Sequence, residues 1–288
     1  MNVLILGANG MLGSALMRVF TPSSALKTWG TVRLASTQAL FSQALATRLI
    51  CGIDALQTSQ LERAFDEAKP QVVINCIGLV KQDCQESDAI KAMAINALLP
   101  HQLAKLCQAR NARLIHISTD CVFSGERGNY HERDIADAKD LYGRSKLLGE
   151  VTDSHALTLR TSMIGPELQN PHGLLDWFLA QKASCPGYTK AVFSGLPTVV
   201  LAQLLRDTVI PRPDLMGVYH VSSEPISKYN LLNAVAVQYG KAIDIVPSDT
   251  LVIDRSLNSE RFSKQTGWVA PSWDAMIKEM YTDRADHV

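Results

Sequence analysis

The chain has no excess of charge of either sign: 28 lysines and arginines stand against 28 aspartates and glutamates in 288 residues. With neither a basic stripe nor an acidic block, there is no electrostatic reason to expect nucleic acid or an anionic membrane as a partner, and small molecules are the expected ligands. Long apolar runs are also missing. The apolar opening "NVLIL" has no basic segment before it and is broken by Gly7, Asn9, Gly10 and Gly13, so it reads as a strand and a helix rather than a signal peptide. Nothing later approaches a membrane span, and a cytoplasmic protein is expected. The six cysteines (Cys51, Cys76, Cys84, Cys107, Cys121, Cys185) show no C-x-x-C spacing, which argues against zinc and against a disulfide frame. Most of them read as small core residues. No carboxylate cluster suggests a metal site. The last absence is local: no Asp or Glu occurs between Gly13 and Asp54.

What is present is a core-forming chain, 47% hydrophobic, long enough for one two-lobed unit. Apolar runs such as "NVLIL", "WGTVRL", "VVINCIG" and "RLIHIS" alternate with helical patterns such as "LERAFDEA" and "AINALLPHQLAKLCQAR". That alternation predicts an α/β, Rossmann-type doubly wound parallel sheet with helices on both faces, and ligands beyond the carboxyl ends of the strands. Gly7, Arg33, Asp54, Gly78 and Thr119 all fall at such strand ends. The pattern changes after "ALTLRTSMIG". Residues 1–163 are expected to form the dinucleotide-binding domain. Residues 164–288 are expected to form mainly a smaller C-terminal α/β substrate-binding lobe, with segments returning to the first domain.

"NVLIL" leads directly into Gly7, Gly10 and Gly13 and then into the helical pattern "MLGSALMRVF". Glycines there permit a tight turn and close approach of a pyrophosphate, while the helix N-terminus offers unpaired N–H groups to an anion. At the end of the second strand, where an acidic residue would bind a ribose 2′-hydroxyl, stands Arg33, with Arg18 and Lys27 near in sequence. An arginine suits a 2′-phosphate, so NADPH is the favoured cofactor and NADH the alternative. Asp54 with Ala55 reads either as a contact to the adenine edge or as a cap for the following helix.

"LYGRSKLLGE" places Tyr142 and Lys146 on one helix face, where an ammonium favours the phenolate, twenty-three residues after Thr119 in "STDCVF". A Tyr-x-x-x-Lys pair arises readily by chance in a chain with seven tyrosines, so its weight comes from the glycine turn and from Thr119. Together these motifs resemble the short-chain dehydrogenase/reductase superfamily, in its extended, nucleotide-sugar-modifying branch. The resemblance implies that the Thr119 hydroxyl binds a substrate carbonyl, with Ser118 as a possible substitute, that Tyr142 donates a proton, and that Lys146 also holds the nicotinamide ribose. Thr119-Asp120 is followed by Cys121, not by the glutamate of the branch's dehydratases, which favours plain ketone reduction.

Through "GANGMLG", "STDCVFSG", "YGRSKLLGE", "LRTSMIG" and "RSLNSERF" the chain resembles the dTDP-4-dehydrorhamnose reductase-like family, whose members reduce nucleotide-linked 4-keto-6-deoxy sugars. The resemblance implies cofactor contacts from Gly7, Asn9, Gly10, Met11, Leu12, Gly13, Arg33, Asp54, Ala55, Cys76, Ile77, Gly78, Tyr142 and Lys146. It implies substrate contacts from Asp120, Cys121, Ser162, Met163 and Arg255. For Ser162 and Met163 ordinary loop packing, and for Arg255 a surface charge, explain the same letters. "VIDRSLNSERF" lacks the Arg-Pro pair expected in the rhamnose enzyme, so the sugar and base stay open, and a UDP-linked N-acetyl deoxysugar fits as well. Three rivals remain: an epimerase–reductase of the GDP-fucose synthase type using Cys121 and His172, a non-catalytic NADP-binding regulatory subunit, and a nucleotide-sugar 4-epimerase. The helices around "AINALLPHQLAKLCQAR" and "YGRSKLLGEV" either form a homodimer surface, common in the superfamily, or simply cover the sheet.

Overall fold

The computed structural model describes residues 1–80, 84, 88–169 and 173–285. Strands β1 (Asn2–Leu6), β2 (Lys27–Val32), β3 (Leu49–Cys51), β4 (Val72–Asn75), β5 (Arg113–Thr119) and β6 (Ala156–Thr161) join a seventh, Gly217–His220, in one parallel sheet. Their order is Gly217–His220, β6, β5, β4, β1, β2, β3. Alternate residues of a strand point to opposite faces, and the apolar run of β1 serves both. Val3 and Ile5 enter one core with Leu12, Leu16 and Phe20 of helix α1 (Met11–Phe20). Leu4 and Leu6 enter the other with Leu61 and Phe65 of the helix Thr58–Ala68 and with Leu99 and Leu103 of the helix Leu99–Ala109. The strand order reverses between β1 and β4, the switch point at which open α/β sheets bind ligands.

Beyond Met163 the strands are short. Met163–Ile164 pairs with Leu196–Pro197, Ala191–Phe193 lies between Ile226–Ser227 and Ile253–Asp254, and Ser184–Tyr188 pairs with Asp244–Ser248. The late strand Gly217–His220 completes the large sheet beside β6. The last helix, Trp273–Ala285, returns to α1. There Arg18 donates through Nε and Nη2 to the two Asp283 oxygens at 3.0 and 2.6 Å, with the side chains only 9% and 8% exposed. Arg18 is therefore committed to this clasp and is withdrawn from the 2′-phosphate role suggested by its place in the sequence. Lys27 lies over the Trp29 ring, 5.5 Å from its centroid.

Two other expectations change. The pattern "AINALLPHQLAKLCQAR" forms a π-turn at Met93–Leu98 running into the helix Leu99–Ala109, and Asn96 sits in that distortion. Only Cys107 and Cys185 of the six cysteines are buried, because Cys51, Cys76, Cys84 and Cys121 sit at strand ends and loops rather than inside the cores. Among the described residues no disulfide forms, no group of three or more His, Cys, Asp and Glu could hold a metal ion, and no helix is long and apolar enough to cross a membrane.

Candidate active site

The carboxyl end of β1 turns at Gly7, whose φ of +79° lies in the left-handed region. Gly10 precedes α1 without any side-chain cap, so the amides of the first turn carry no side-chain acceptor. At Gly13 a Cβ would lie 2.1 Å from the Gly7 carbonyl oxygen, so only glycine lets the helix approach its own turn. Gly7, Asn9, Gly10 and Met11 reach the surface of this cradle, whereas Leu12 and Gly13 are buried beneath it. An anionic pyrophosphate fits a cradle of this kind: free amides, positive helix dipole and no side chain in the way.

At the next strand end, Arg33 is exposed directly after β2. Asp54 accepts from Leu56 N at 3.0 Å and so closes a turn. The helix Thr58–Ala68 is preceded by Gln57 instead, so Asp54 is not its cap. Ala55 is 8% exposed and belongs to the core. After β4, the segment Cys76–Gly78 is fixed from below by Asn75, whose Oδ1 accepts from Ile77 N at 3.1 Å. Asn96, a residue that no sequence motif singles out, accepts from Leu79 N at 2.8 Å and donates to Ser145 Oγ at 3.2 Å. Gly78 lies beside Lys146: a Cβ there would be 3.8 Å from Nζ.

The helix Leu141–Leu148 starts where Asp140 Oδ1 accepts from Gly143 N at 2.8 Å. A Cβ on Gly143 would lie 2.2 Å from the Cys121 carbonyl oxygen, so the helix is pressed onto the turn Asp120–Val122 that follows β5. This contact brings the Tyr142 phenol close enough to the Thr119 hydroxyl for the hydroxyl to favour the phenolate. Thr119 Oγ1 also accepts from Cys121 N and donates to Asp120 Oδ1, both at 3.1 Å. Ser118 points away and donates to Glu150 at 2.8 Å, which leaves Thr119 as the hydroxyl facing the site.

Burial dominates the electrostatics. It raises the Tyr142 phenol well above its usual value; the Cys121 charge adds to the effect and the Thr119 hydrogen bond opposes it. In the chain by itself desolvation outweighs the help available to the phenolate, so the depression expected from the sequence would have to come from the bound nicotinamide. Burial lowers Lys146 to about 8, with the Glu150 charge opposing the fall. The Lys146 ammonium donates to the Ile117 carbonyl at 2.7 Å. Cys76 and Cys121 are both pushed up to about 12 by burial, and both thiols are therefore protonated at neutral pH.

On the second-lobe side, Arg255 Nε donates to the Phe123 carbonyl at 2.8 Å, and its charge acts on Asp120 and Cys121. It packs against the turn after β5 rather than standing as a surface charge. Lys228, at the start of the helix Lys228–Gln238, acts on Asp120 as well; sequence reasoning missed it, since nothing local distinguishes it from a solvated lysine. Burial raises Asp120, against the pull of Arg255. Ser162 uses its carbonyl to accept from Leu196 N at 2.9 Å, and Met163 packs against the core beside it, so both have structural tasks at the lobe junction. His172 lies outside the described residues.

A family model described as "RmlD substrate binding domain" matches residues 1–285. "Methionine adenosyltransferase 2 subunit beta" of Mus musculus is 29% identical over 257 residues, covering 81% of this chain and 71% of that protein. A dTDP-4-dehydrorhamnose reductase of Aggregatibacter actinomycetemcomitans is 27% identical over 244 residues, covering 81% of this chain and 77% of that enzyme. The crystal structure of dTDP-4-dehydrorhamnose reductase from Bacillus anthracis str. Ames in complex with NADP superposes with a TM-score of 0.79, at 21% identity, over 98% of this chain and 97% of that one.

Proposed function

The chain belongs to the RmlD substrate binding domain family, and from that premise we propose that it reduces the C4 ketone of a nucleotide-linked 4-keto-6-deoxy sugar with NADPH. The observation that carries this reading is the Thr119 hydroxyl against the Tyr142 phenol, with Lys146 behind them and the glycine cradle on the same sheet edge. The nicotinamide cofactor supplies the hydride. The Thr119 hydroxyl polarises the sugar oxygen, and Tyr142 delivers the proton. A phenol raised by burial is fully protonated at neutral pH, the state a general acid needs. Lys146 holds the ribose, Arg33 meets a 2′-phosphate, and Arg255 with Lys228 grips the anionic part of the nucleotide sugar. Residues 1–163 serve the dinucleotide and residues 164–288 mainly the sugar.

The NADP in the Bacillus anthracis reductase structure supports the choice of cofactor, and Arg33 favours NADPH over NADH. The exposed Ile90, Leu98 and Leu148 support a homodimer through the helices that carry them. The six cysteines without a disulfide support a cytoplasmic setting, and the family supports deoxysugar, O-antigen or capsule synthesis as the context. A Cys121 thiol at about 12 is a poor acid–base partner, which weighs against the epimerase–reductase. A second reading, a dinucleotide-binding subunit of another enzyme, draws on the 29% identity to the methionine adenosyltransferase subunit.

Incubation of the chain with NADPH and freshly made dTDP-, UDP- and GDP-linked 4-keto-6-deoxy sugars separates the two. Loss of reduced-nicotinamide absorbance with one of them is expected, and Tyr142→Phe lowers that turnover by about 10²–10⁴-fold in a folded protein. Tight NADPH binding with no turnover across the panel supports the subunit reading instead.

A further inference from the structure

One charged row beneath the reacting groups takes no part in the chemistry above. Ser118 of β5, Arg160 of β6 and His220 of the strand Gly217–His220 stand in register across three neighbouring strands. Glu150, just past the catalytic helix, lies against this row. It accepts from Ser118 Oγ at 2.8 Å and from Arg160 Nε and Nη2 at 2.8 and 2.7 Å, and the paired side chains of Arg160 and Glu150 are 7% and 6% exposed.

Each nitrogen of Arg160 has a partner in this row, and the protonation of His220 follows from its own two. His220 Nδ1 faces the Tyr130 carbonyl at 3.0 Å and must carry the hydrogen, so Nε2 accepts from Arg160 Nη1 at 3.2 Å and the imidazole is neutral. The His220 backbone N–H donates to Glu132 Oε1 at 3.0 Å. Phe123 closes the other side, its ring 5.2 Å from the Arg160 guanidinium carbon and stacked on Tyr130 with centroids 4.2 Å apart.

We propose that Glu150 is the positioning residue for Lys146: its clamp on Ser118 and Arg160 fixes the end of the catalytic helix to β5, one residue from the Ile117 carbonyl that holds the Lys146 ammonium, and brings a carboxylate to that end of the helix. The assignment rests on Lys146 being the catalytic lysine. Removing one member of a desolvated set leaves the others uncompensated, so the row is held together by mutual need rather than by the worth of any single bond. The groups facing Lys146 are Glu150 from its own helix end, Cys76 from the segment after β4, Cys84, and His116 from β5, whose protonated form Lys146 opposes. Glu150 is the carboxylate in this set. The Cys76 thiol, pushed up to about 12, and the buried His116 are neutral near pH 7, so Glu150 is the counter-charge among the groups named.

The sign follows. Lys146 is charged below its own midpoint and loses its proton as pH rises through about 8. Glu150→Gln withdraws a stabilising anion and leaves the Arg160 cation, so the midpoint moves down, by about one pH unit or more. Arg160→Gln frees the Glu150 charge from its partner and moves the midpoint up.

The test titrates Lys146 directly by ¹³C NMR of protein labelled at lysine Cε and saturated with NADP, with the resonance assigned by its loss in Lys146→Arg. A downward shift in Glu150→Gln, an upward shift in Arg160→Gln, and partial restoration in Glu150→Asp are expected. The alkaline limb of kcat should follow the same order. An unmoved midpoint in both Gln variants, or uniform loss of turnover at every pH, overturns the proposal. Should Glu150→Gln not fold, Glu150→Asp, which keeps the charge but retracts it, decides the matter by the same resonance. The NMR titration needs no sugar substrate, so an enzyme inactive with every nucleotide sugar overturns the reductase reading and leaves this result standing.

Discussion

The two ends of the site are built from different materials. At the proposed dinucleotide end the working surface is backbone: glycines that clear space, an uncapped helix start, and a segment hung on Asn75 and Asn96. At the proposed sugar end the surface is charge brought from afar, with Arg255 and Lys228 acting on Asp120 from more than a hundred residues away. A backbone site tolerates no added atom, whereas a side-chain site degrades by degrees.

That contrast can be broken or sharpened by substitution. The largest effect is expected from Gly13→Val, whose branched side chain meets the Gly7 carbonyl; overpacking of this kind costs about 1–3 kcal/mol of stability. Isothermal calorimetry should find no NADPH binding, and retained binding would mean that the turn yields. Lys228→Ala comes next. A charged hydrogen bond is worth about 1.5–3 kcal/mol, so KM for the nucleotide sugar should rise by about 10- to 100-fold while the NADPH Kd stays constant. Equal changes in both constants would remove the division between the ends. The smallest effect is expected from Arg33→Ser, a reduction of the NADPH-over-NADH preference of about tenfold, read from the ratio of kcat/KM for the two cofactors.

The same contrast governs what the sequence revealed. Gly7, Gly10, Gly13, Tyr142 and Lys146 lie within local strings, where spacing alone fixes which groups share a turn or a helix face, so the fold and the glycine turn were legible. Lys228, Asn96 and Glu150 look like ordinary surface or helix residues until the sheet brings distant strands into register. Arg18 shows the reverse error: near Arg33 in sequence, it is drawn away by Asp283, 265 residues further on. The burial around the tyrosine was illegible for a related reason, because desolvation is a property of everything packed around a group and no motif records it.

The clasp between Arg18 and Asp283 also places a constraint on biosynthesis. Helix α1 leaves the ribosome well before its partner, which lies 265 residues further on. At about 5–20 residues per second, the intervening 265 residues take on the order of tens of seconds to translate. The edge of β6 also stays bare until residues 217–220 appear. During that interval the nascent chain exposes an unfinished sheet edge, and holding it apart from other nascent chains becomes the work of chaperones near the exit tunnel.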